Sequence, residues 1–245
     1  MKERGSKSSN ILRHLGVVIG GFLALTILSV LNSAYSYLLD SIKGELSLSY
    51  TEIGGLMSAF FVGYTLGQIP WGLLTDKVGS RKVIALSILG VSSATIFFGL
   101  SNNFTTAAVA RFVQGLLGTG VFVPSIRMIA DWFETKERGT VLGVLNIGGS
   151  IGLLAVTWTS PMLAIVFGWR LSIEIQGIIG VTSAALIWLS LKDGKKIKNG
   201  SRRNLTSALK QRSFWVLAFV QFIHARELLH LPCLAPSNVE GGLWT

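Results

Sequence analysis

Arg111 is a charged side chain inside a long apolar stretch, residues 105–128, where it could bind an anion or assist proton transfer. If that stretch crosses a membrane, a buried arginine costs about 2.5–3.5 kcal/mol and should face a polar cavity or an acid. Gln114, Gly115 and Gly118 follow at helical spacing, which places them on the same face. This stripe predicts an arginine that binds an anionic substrate or steers a coupling proton. The alternative is a structural arginine that pairs with backbone carbonyls.

Other polar side chains inside apolar stretches are further candidates for a substrate path. Each of them could equally form a structural hydrogen bond between helices, worth well under about 2 kcal/mol. We therefore expect a structural role for any single one of them. The candidates are Asn32, Tyr35 and Ser36 on one helix face, Tyr64 and Gln68 on a second, and Asn146 and Ser150 on a third.

A short gap between two uncharged apolar stretches holds a cluster of charges, Asp76, Lys77, Arg81 and Lys82. Basic residues hold such a turn in water on the cytoplasmic side of a membrane. Here they could pair with Asp76 or with charges on another helix bundle. The alternative is a plain turn in which any mixture of basic residues would serve.

Two glycines flank this charge cluster. Gly72 should allow a close approach to a neighbouring helix. Gly79 should take the left-handed conformation that ends a helix.

The composition indicates a membrane protein. Of 245 residues, 50% are hydrophobic and 14% are charged, and the mean hydropathy is +0.56. A soluble domain of this size would need more polar surface. The net charge of +10 does not indicate nucleic-acid binding, because the charges lie in gaps between apolar stretches rather than on one face.

Six apolar stretches are long enough to cross a membrane as helices. Open strands cannot span lipid, so the predicted fold is all-α and integral to the membrane. The predicted spans are residues 15–39, 53–74, 83–100, 105–128, 140–167 and 171–191.

Lys and Arg are concentrated in alternate gaps, which predicts the orientation of these spans. The amino terminus and both ends of the six-helix unit should face the cytoplasm, in the plasma (inner) membrane. The predicted organisation is a cytoplasmic tail (1–14), a six-helix bundle (15–191), a basic cytoplasmic linker (192–213), and an incomplete seventh helix with an atypical tail (214–245).

Four sequence motifs resemble the signatures of the major facilitator superfamily of secondary transporters. The resemblance implies the amino-terminal six-helix bundle of that fold, with Gly72, Asp76, Lys77, Gly79, Arg81 and Lys82 as a conformational latch. The stretch YTLGQIPWGLLTDKVG is similar to the anion-symporter branch of the family. The motifs are the 72–82 loop, Arg111-x-x-Gln114-Gly115-x-x-Gly118, the DWFETKERG loop, and Gly168-Trp169-Arg170.

The carboxy-terminal stretch departs from this pattern. A seventh apolar run starts at residues 214–222, but charged residues and prolines soon follow. We expect a shifted reading frame or a truncated gene, with its junction near Ile223. The alternative is a half-sized protein that dimerises through the faces of Gly63/Gly67 and Gly148/Gly152.

The predicted function is transport of a small solute by ion-coupled alternating access, with proton symport of an organic anion as the specific form. The alternative is a non-transporting remnant half or a membrane interaction subunit. No catalytic constellation, metal-spaced histidine pair or phosphate loop occurs, so we expect no enzyme, cofactor or metal. Expected partners are the solute, the lipid bilayer and a second half-bundle or homodimer.

Glu174 should pair with Arg170 one turn back or take part in proton transfer.

Overall fold

A computed structural model describes residues 14–191, and this part of the chain is helical throughout, with no strand. The predictions for residues 1–13, for the linker 192–213 and for residues 214–245 lie outside the described residues. The helical elements are α1 (Leu15–Tyr37), α2 (Leu39–Leu46), α3 (Tyr50–Val78), α4 (Ser80–Gly99), α5 (Phe104–Trp132) and α6 (Thr135–Ser190).

The long element α6 consists of two helices that meet at Gly168. This residue has φ 79° and ψ 164°, a conformation that interrupts the helix and that glycine tolerates because it has no Cβ. We name the part before Gly168 α6a and the part after it α6b. The break falls between the predicted fifth and sixth spans, so α1, α3, α4, α5, α6a and α6b match the six predicted spans.

Four elements of the described region, α1, α4, α5 and α6, are both long and apolar enough to cross a membrane. Helix α3 has 29 residues but is not among them. Polar residues such as Tyr64 and Gln68 lower its mean hydropathy. The assignment of residues 53–74 as a membrane span therefore rests on the packing of α3 among the other spans and not on its hydropathy.

The helices pack in pairs, α1 against α6 and α3 against α5, while α4 contacts both α5 and α6. Two apolar clusters form the core. One lies at the end that contains Val17, Ile84 and Leu191. The other lies at the opposite end, around Tyr35 and Phe98. Along α5, Arg111 and Gln114 lie between Ala110 of the second cluster and Val121 of the first.

Helices α3 and α5 approach each other closely at two glycines. A Cβ at Gly63 would collide with the carbonyl oxygen of Phe112, and one at Gly67 would collide with that of Leu116. These glycines therefore let the two backbones touch, as small residues do in membrane helices.

The second glycine pair works in the same way between α6a and α1. A Cβ at Gly148 would lie 2.7 Å from the Phe22 carbonyl oxygen, and one at Gly152 would collide with that of Thr26. Both glycine faces are thus occupied inside the bundle. The prediction that a homodimer forms through these two faces is therefore wrong, while dimerisation through another surface stays a prediction.

Arg170 joins three elements at the end of the bundle opposite the charged 72–82 loop. Its Nε donates to Glu45 Oε1 of α2 at 2.7 Å. Its Nη1 donates to the carbonyl oxygens of Gly99, at 2.8 Å, and Ser101, which satisfies backbone groups at the end of α4. Trp169 Nε1 donates to Glu45 Oε2 at 2.6 Å.

The expected ion pair between Arg170 and Glu174 is wrong. The carboxylate that pairs with Arg170 comes from Glu45, more than a hundred residues away in sequence. The Glu174 side chain instead lies against Gly99, where an added Cβ would be 2.8 Å from its Cγ. The spacing of residues along one helix could not show that Glu45, on another helix, would pair with Arg170.

The Glu45–Arg170 contact should make stability depend on pH. The hydrogen bond from Arg170 is the main reason that the pKa of Glu45 lies below its ordinary value of 4.5. A depressed folded-state pKa contributes stability above the unfolded pKa, and this stability is lost as the pH falls through the folded pKa. The melting temperature of the purified chain should therefore fall below about pH 4.5, and Glu45→Gln should remove part of that fall.

Asp40→Asn provides the matched control, because Asp40 is another exposed acid on α2. It should keep the wild-type pH profile. Arg170→Ala should lower stability by about 1–3 kcal/mol at pH 7, because it leaves carbonyl groups without donors. Equal pH profiles for Glu45→Gln and wild type would contradict this role.

Candidate substrate site

A cavity of about 330 Å³ opens between α1, α3 and α5. Met57, Phe60, Phe61 and Tyr64 line its α3 side, at the spacing of one helix face. The α1 side is polar and the α5 side is cationic, so the cavity combines an apolar wall with hydrogen-bonding groups. The lining residues on those two sides are Asn32, Ser33, Ser36 and Arg111.

Arg111 is buried at the cavity wall and has only 3% of its surface exposed. Its guanidinium lies over two aromatic rings, 4.5 Å from the centroid of Tyr35 and 4.6 Å from that of Phe60. These cation–π contacts stabilise the charge in part. Its Nε has no hydrogen-bond partner, and no acid within residues 14–191 forms an ion pair with it.

Gln114 fixes the direction of Arg111. Its Oε1 accepts a hydrogen bond of 2.7 Å from Arg111 Nη1. Its Nε2 donates to the carbonyl oxygen of Leu31 at 2.8 Å and to Thr95 Oγ1 at 3.0 Å. Gln114 thus ties α5 to α1 and α4, and it orients the arginine rather than lining the cavity.

The two candidate residues of α1, Asn32 and Tyr35, occupy different positions. Asn32 lines the cavity, and its Oδ1 is buried without a hydrogen-bond partner. Tyr35 is buried beneath Arg111, and its hydroxyl donates to the Ile53 carbonyl oxygen at 3.1 Å. Its ring therefore supports Arg111, and direct contact with a solute stays a prediction for Tyr35.

Asn146 is not part of this cavity. It lies on an exposed face of α6a, and its Nδ2 donates to the Leu142 carbonyl oxygen one turn back at 3.0 Å. No residue of α6 lines the cavity. The structure brings Arg111, Gln114, Asn32 and Tyr35 together and leaves Asn146 apart.

At the charged loop, Asp76 forms an ion pair with Arg127 near the end of α5. Both side chains are about half exposed. The pair therefore joins α3 to α5 within one bundle. Sequence reasoning missed Arg127; the available signal was an arginine at the end of an apolar span, on the same predicted membrane side as the loop carboxylate.

The two loop glycines behave differently. Gly79 has φ 99° and ψ 153° and separates α3 from α4. Its positive φ agrees with the prediction, but its ψ lies outside the left-handed helical conformation that was expected. A Cβ at Gly72 would meet no described atom within 4 Å. The expected close approach of another helix to Gly72 is therefore wrong within this bundle.

The basic loop residues also differ in their surroundings. Arg81 Nε donates to the Trp188 carbonyl oxygen of α6b at 2.9 Å, and its guanidinium lies 4.4 Å from the centre of the Trp188 ring. Lys77 and Lys82 have exposed side chains. Their part in a latch stays a prediction.

A family model for the Major Facilitator Superfamily matches residues 17–230. The chain belongs to this superfamily. The prediction made from the loop and helix motifs is confirmed. The chain is accordingly an integral membrane protein from a family of transporters, which are not enzymes.

Relatives within the family carry transporter names. The chain is 35% identical over 144 residues to the "Probable L-galactonate transporter" of Escherichia coli K12, covering 58% of this chain and 31% of that protein. It is 34% identical over 166 residues to the "Cis,cis-muconate transport protein" of Acinetobacter baylyi, covering 68% and 40%. The chain thus spans about a third of the length of these curated relatives.

The solved structures show the same fold. A bacterial homologue of the human lysosomal transporter Spinster, in an inward-facing and unoccupied conformation, superposes with a TM-score of 0.67. The match covers 74% of this chain and 44% of that one, at 21% identity. The all-α membrane fold predicted from the sequence is confirmed.

Proposed function

We propose that this bundle, together with a second six-helix bundle, transports a small organic anion by ion-coupled alternating access. Transporters of this architecture bind their substrate near the membrane midplane between two bundles, which rock against each other. The cavity beside Arg111 is the part of that site that this chain supplies.

The buried Arg111 without an ionic partner is the observation that carries this proposal. A buried charge without a counterion is costly, and cation–π contacts compensate only part of that cost. A carboxylate entering the cavity would supply the missing acceptor for Nε. Arginine suits this task because its planar fork matches a carboxylate.

Asn32 narrows the class of anion. Its unpartnered Oδ1 is an acceptor and needs a donor. A hydroxyl group on the solute would provide one, so a hydroxylated organic acid would satisfy both buried groups. The galactonate named for one relative belongs to this class, and the dicarboxylate muconate named for another shares its negative charge.

The membrane potential favours uptake of an anion together with a cation, and we propose that this cation is a proton. Moving one negative charge into an inside-negative compartment costs about 2.3 kcal/mol per 100 mV. Cotransport of one proton cancels that cost for a monoanion. We therefore propose uptake through the plasma membrane, with the amino terminus in the cytoplasm.

We further propose that Asp76 and Arg127, with the neighbouring basic residues of the loop, form a latch that favours one conformational state. An exposed pair is worth only about 0–1 kcal/mol. The latch requires that the pair breaks in the other conformational state, and that small energy then biases two states of similar free energy.

The proposed function can be tested by uptake of labelled L-galactonate and cis,cis-muconate into membrane vesicles. The vesicles should carry this chain alone, or this chain with the carboxy-terminal bundle of the galactonate relative. We expect uptake that an inward proton gradient stimulates, and no uptake of the neutral sugar galactose. Uptake by the chain alone would favour a homodimer. Uptake of neither anion in either arrangement would refute the proposal.

The proposed topology predicts which positions react from outside intact cells. Lys43→Cys and Asn103→Cys should react with an impermeant thiol reagent, because both lie in gaps between spans that are poor in basic residues. Lys136→Cys should react only after permeabilisation. The native Cys233 is replaced by Ser in all variants. Labelling of Lys136→Cys in intact cells would invert the orientation.

A further inference from the structure

An apolar groove of about 640 Å³ lies between α4 and α6b, away from the substrate cavity. Ala85 and Ala184 are buried and form its floor. Leu86, Leu89 and Trp188 are exposed and form its walls. Small residues between larger ones thus create a channel in the bundle surface.

One end of this groove is basic. Lys82, at the start of α4, lines it beside Val78, and no residue of 14–191 forms an ion pair with Lys82. Arg81 lies next to it over the Trp188 ring. Because α4 and α6b are antiparallel here, Leu89 and Val181 mark the other end, which is wholly apolar.

The dimensions of the groove suit an extended hydrocarbon chain. Leu89 lies seven positions after Lys82, and Trp188 lies seven positions after Val181. At 1.5 Å per residue, each wall runs about 10 Å along the helix axis. The lining contains no hydrogen-bonding group along this length except at the basic end.

From these features we propose that the groove binds an anionic phospholipid. One acyl chain lies between α4 and α6b, and the phosphate lies at Lys82. Basic pockets between membrane helices on the cytoplasmic side select anionic headgroups, and Lys82 lies on that side in the predicted topology. Since α4 and α6b contribute nothing to the substrate cavity, this lipid occupies a separate face of the bundle.

Quenching of Trp188 fluorescence by brominated lipid acyl chains tests the proposal directly. The signal is the difference between the wild-type chain and Trp188→Phe, because the sequence holds seven tryptophans. The purified full chain is reconstituted with brominated phosphatidylglycerol or brominated phosphatidylcholine. We expect a roughly fivefold preference for the anionic lipid, which is the effect of one basic residue near a headgroup of net negative charge. The choline cation offsets the phosphate charge in phosphatidylcholine.

Two variants test separately how the lysine charge and the apolar groove contribute to lipid binding. Each variant is measured against its own Trp188→Phe reference. Lys82→Gln should abolish the preference for phosphatidylglycerol, whereas the matched control Lys136→Gln should keep it, because Lys136 is an exposed lysine outside the groove. Ala185→Leu should fill the groove and reduce quenching by both lipids. Ala155→Leu, which changes another exposed alanine on α6a, should not reduce the quenching.

Four results would overturn the proposal. One is equal quenching of wild type by the two lipids. Another is an unchanged preference in Lys82→Gln. The third is unchanged quenching in Ala185→Leu, which would mean that Trp188 contacts only bulk lipid. Absence of Trp188 quenching together with cross-linking of two chains through this face would assign the groove to a protein contact instead.

Discussion

Arg111→Ala should reduce uptake of an organic anion by about 30-fold or more, since removal of one partner from a buried charge pair costs about 2–5 kcal/mol. Arg111 is the cation at the cavity wall, and its Nε has no partner within the described bundle. The rate of proton-driven uptake into vesicles measures this effect. Insertion into the membrane should persist, because alanine favours a membrane helix more than arginine does.

Arg111→Lys distinguishes a forked donor from a simple positive charge. Lysine keeps the charge but cannot present two parallel donors or stack on Tyr35 and Phe60 in the same way. We expect only partial recovery of uptake. The control Lys136→Ala changes an exposed cation in the first turn of α6 and should leave uptake unchanged. Uptake at the wild-type rate in Arg111→Ala would reduce Arg111 to a structural residue.

Breaking the Asp76–Arg127 pair should slow transport by about fivefold, the conformational bias of roughly 1 kcal/mol that an exposed ion pair can provide. Asp76→Asn and Arg127→Gln should have similar effects, because each removes the same contact. Neither variant should impair insertion, which is measured as the amount of folded chain in the membrane fraction.

The charge-swapped double variant Asp76→Arg/Arg127→Asp tests whether the pair acts as a unit. Uptake should recover toward wild type if the contact between α3 and α5 is what matters. If the swap stays slower than both single variants, Asp76 must act on another partner, such as the second bundle. Single variants at the wild-type rate would contradict the proposed latch.

The sequence predicts the main elements because their causes are local. Long uncharged stretches mark the spans, and the described helices begin and end within a few residues of most of them. Gly79 and Gly168 separate helices where a positive φ is required. The helical spacing of Arg111 and Gln114 correctly placed both on one face, where they are hydrogen bonded.

Contacts between distant residues could not be predicted in the same way. The partners of Asp76 and Arg170, namely Arg127 and Glu45, depend on how whole helices pack. Periodicity marks Phe60 as part of an apolar face but cannot show that its ring lies beneath a guanidinium. The spacing of glycines predicted close packing of helices. Only the fold shows that the Gly63/Gly67 and Gly148/Gly152 faces pack against helices of the same bundle.

Equilibrium binding to the purified chain most directly tests the central claim that the Arg111 cavity binds an organic anion. Labelled L-galactonate should bind saturably, unlabelled muconate should displace it, and an excess of galactose should not. Arg111→Ala should lose this binding. Arg170→Lys should retain it, because Arg170 lies far from the cavity and lysine keeps its positive charge. Displacement by galactose as effective as by galactonate, or undiminished binding in Arg111→Ala, would contradict the claim.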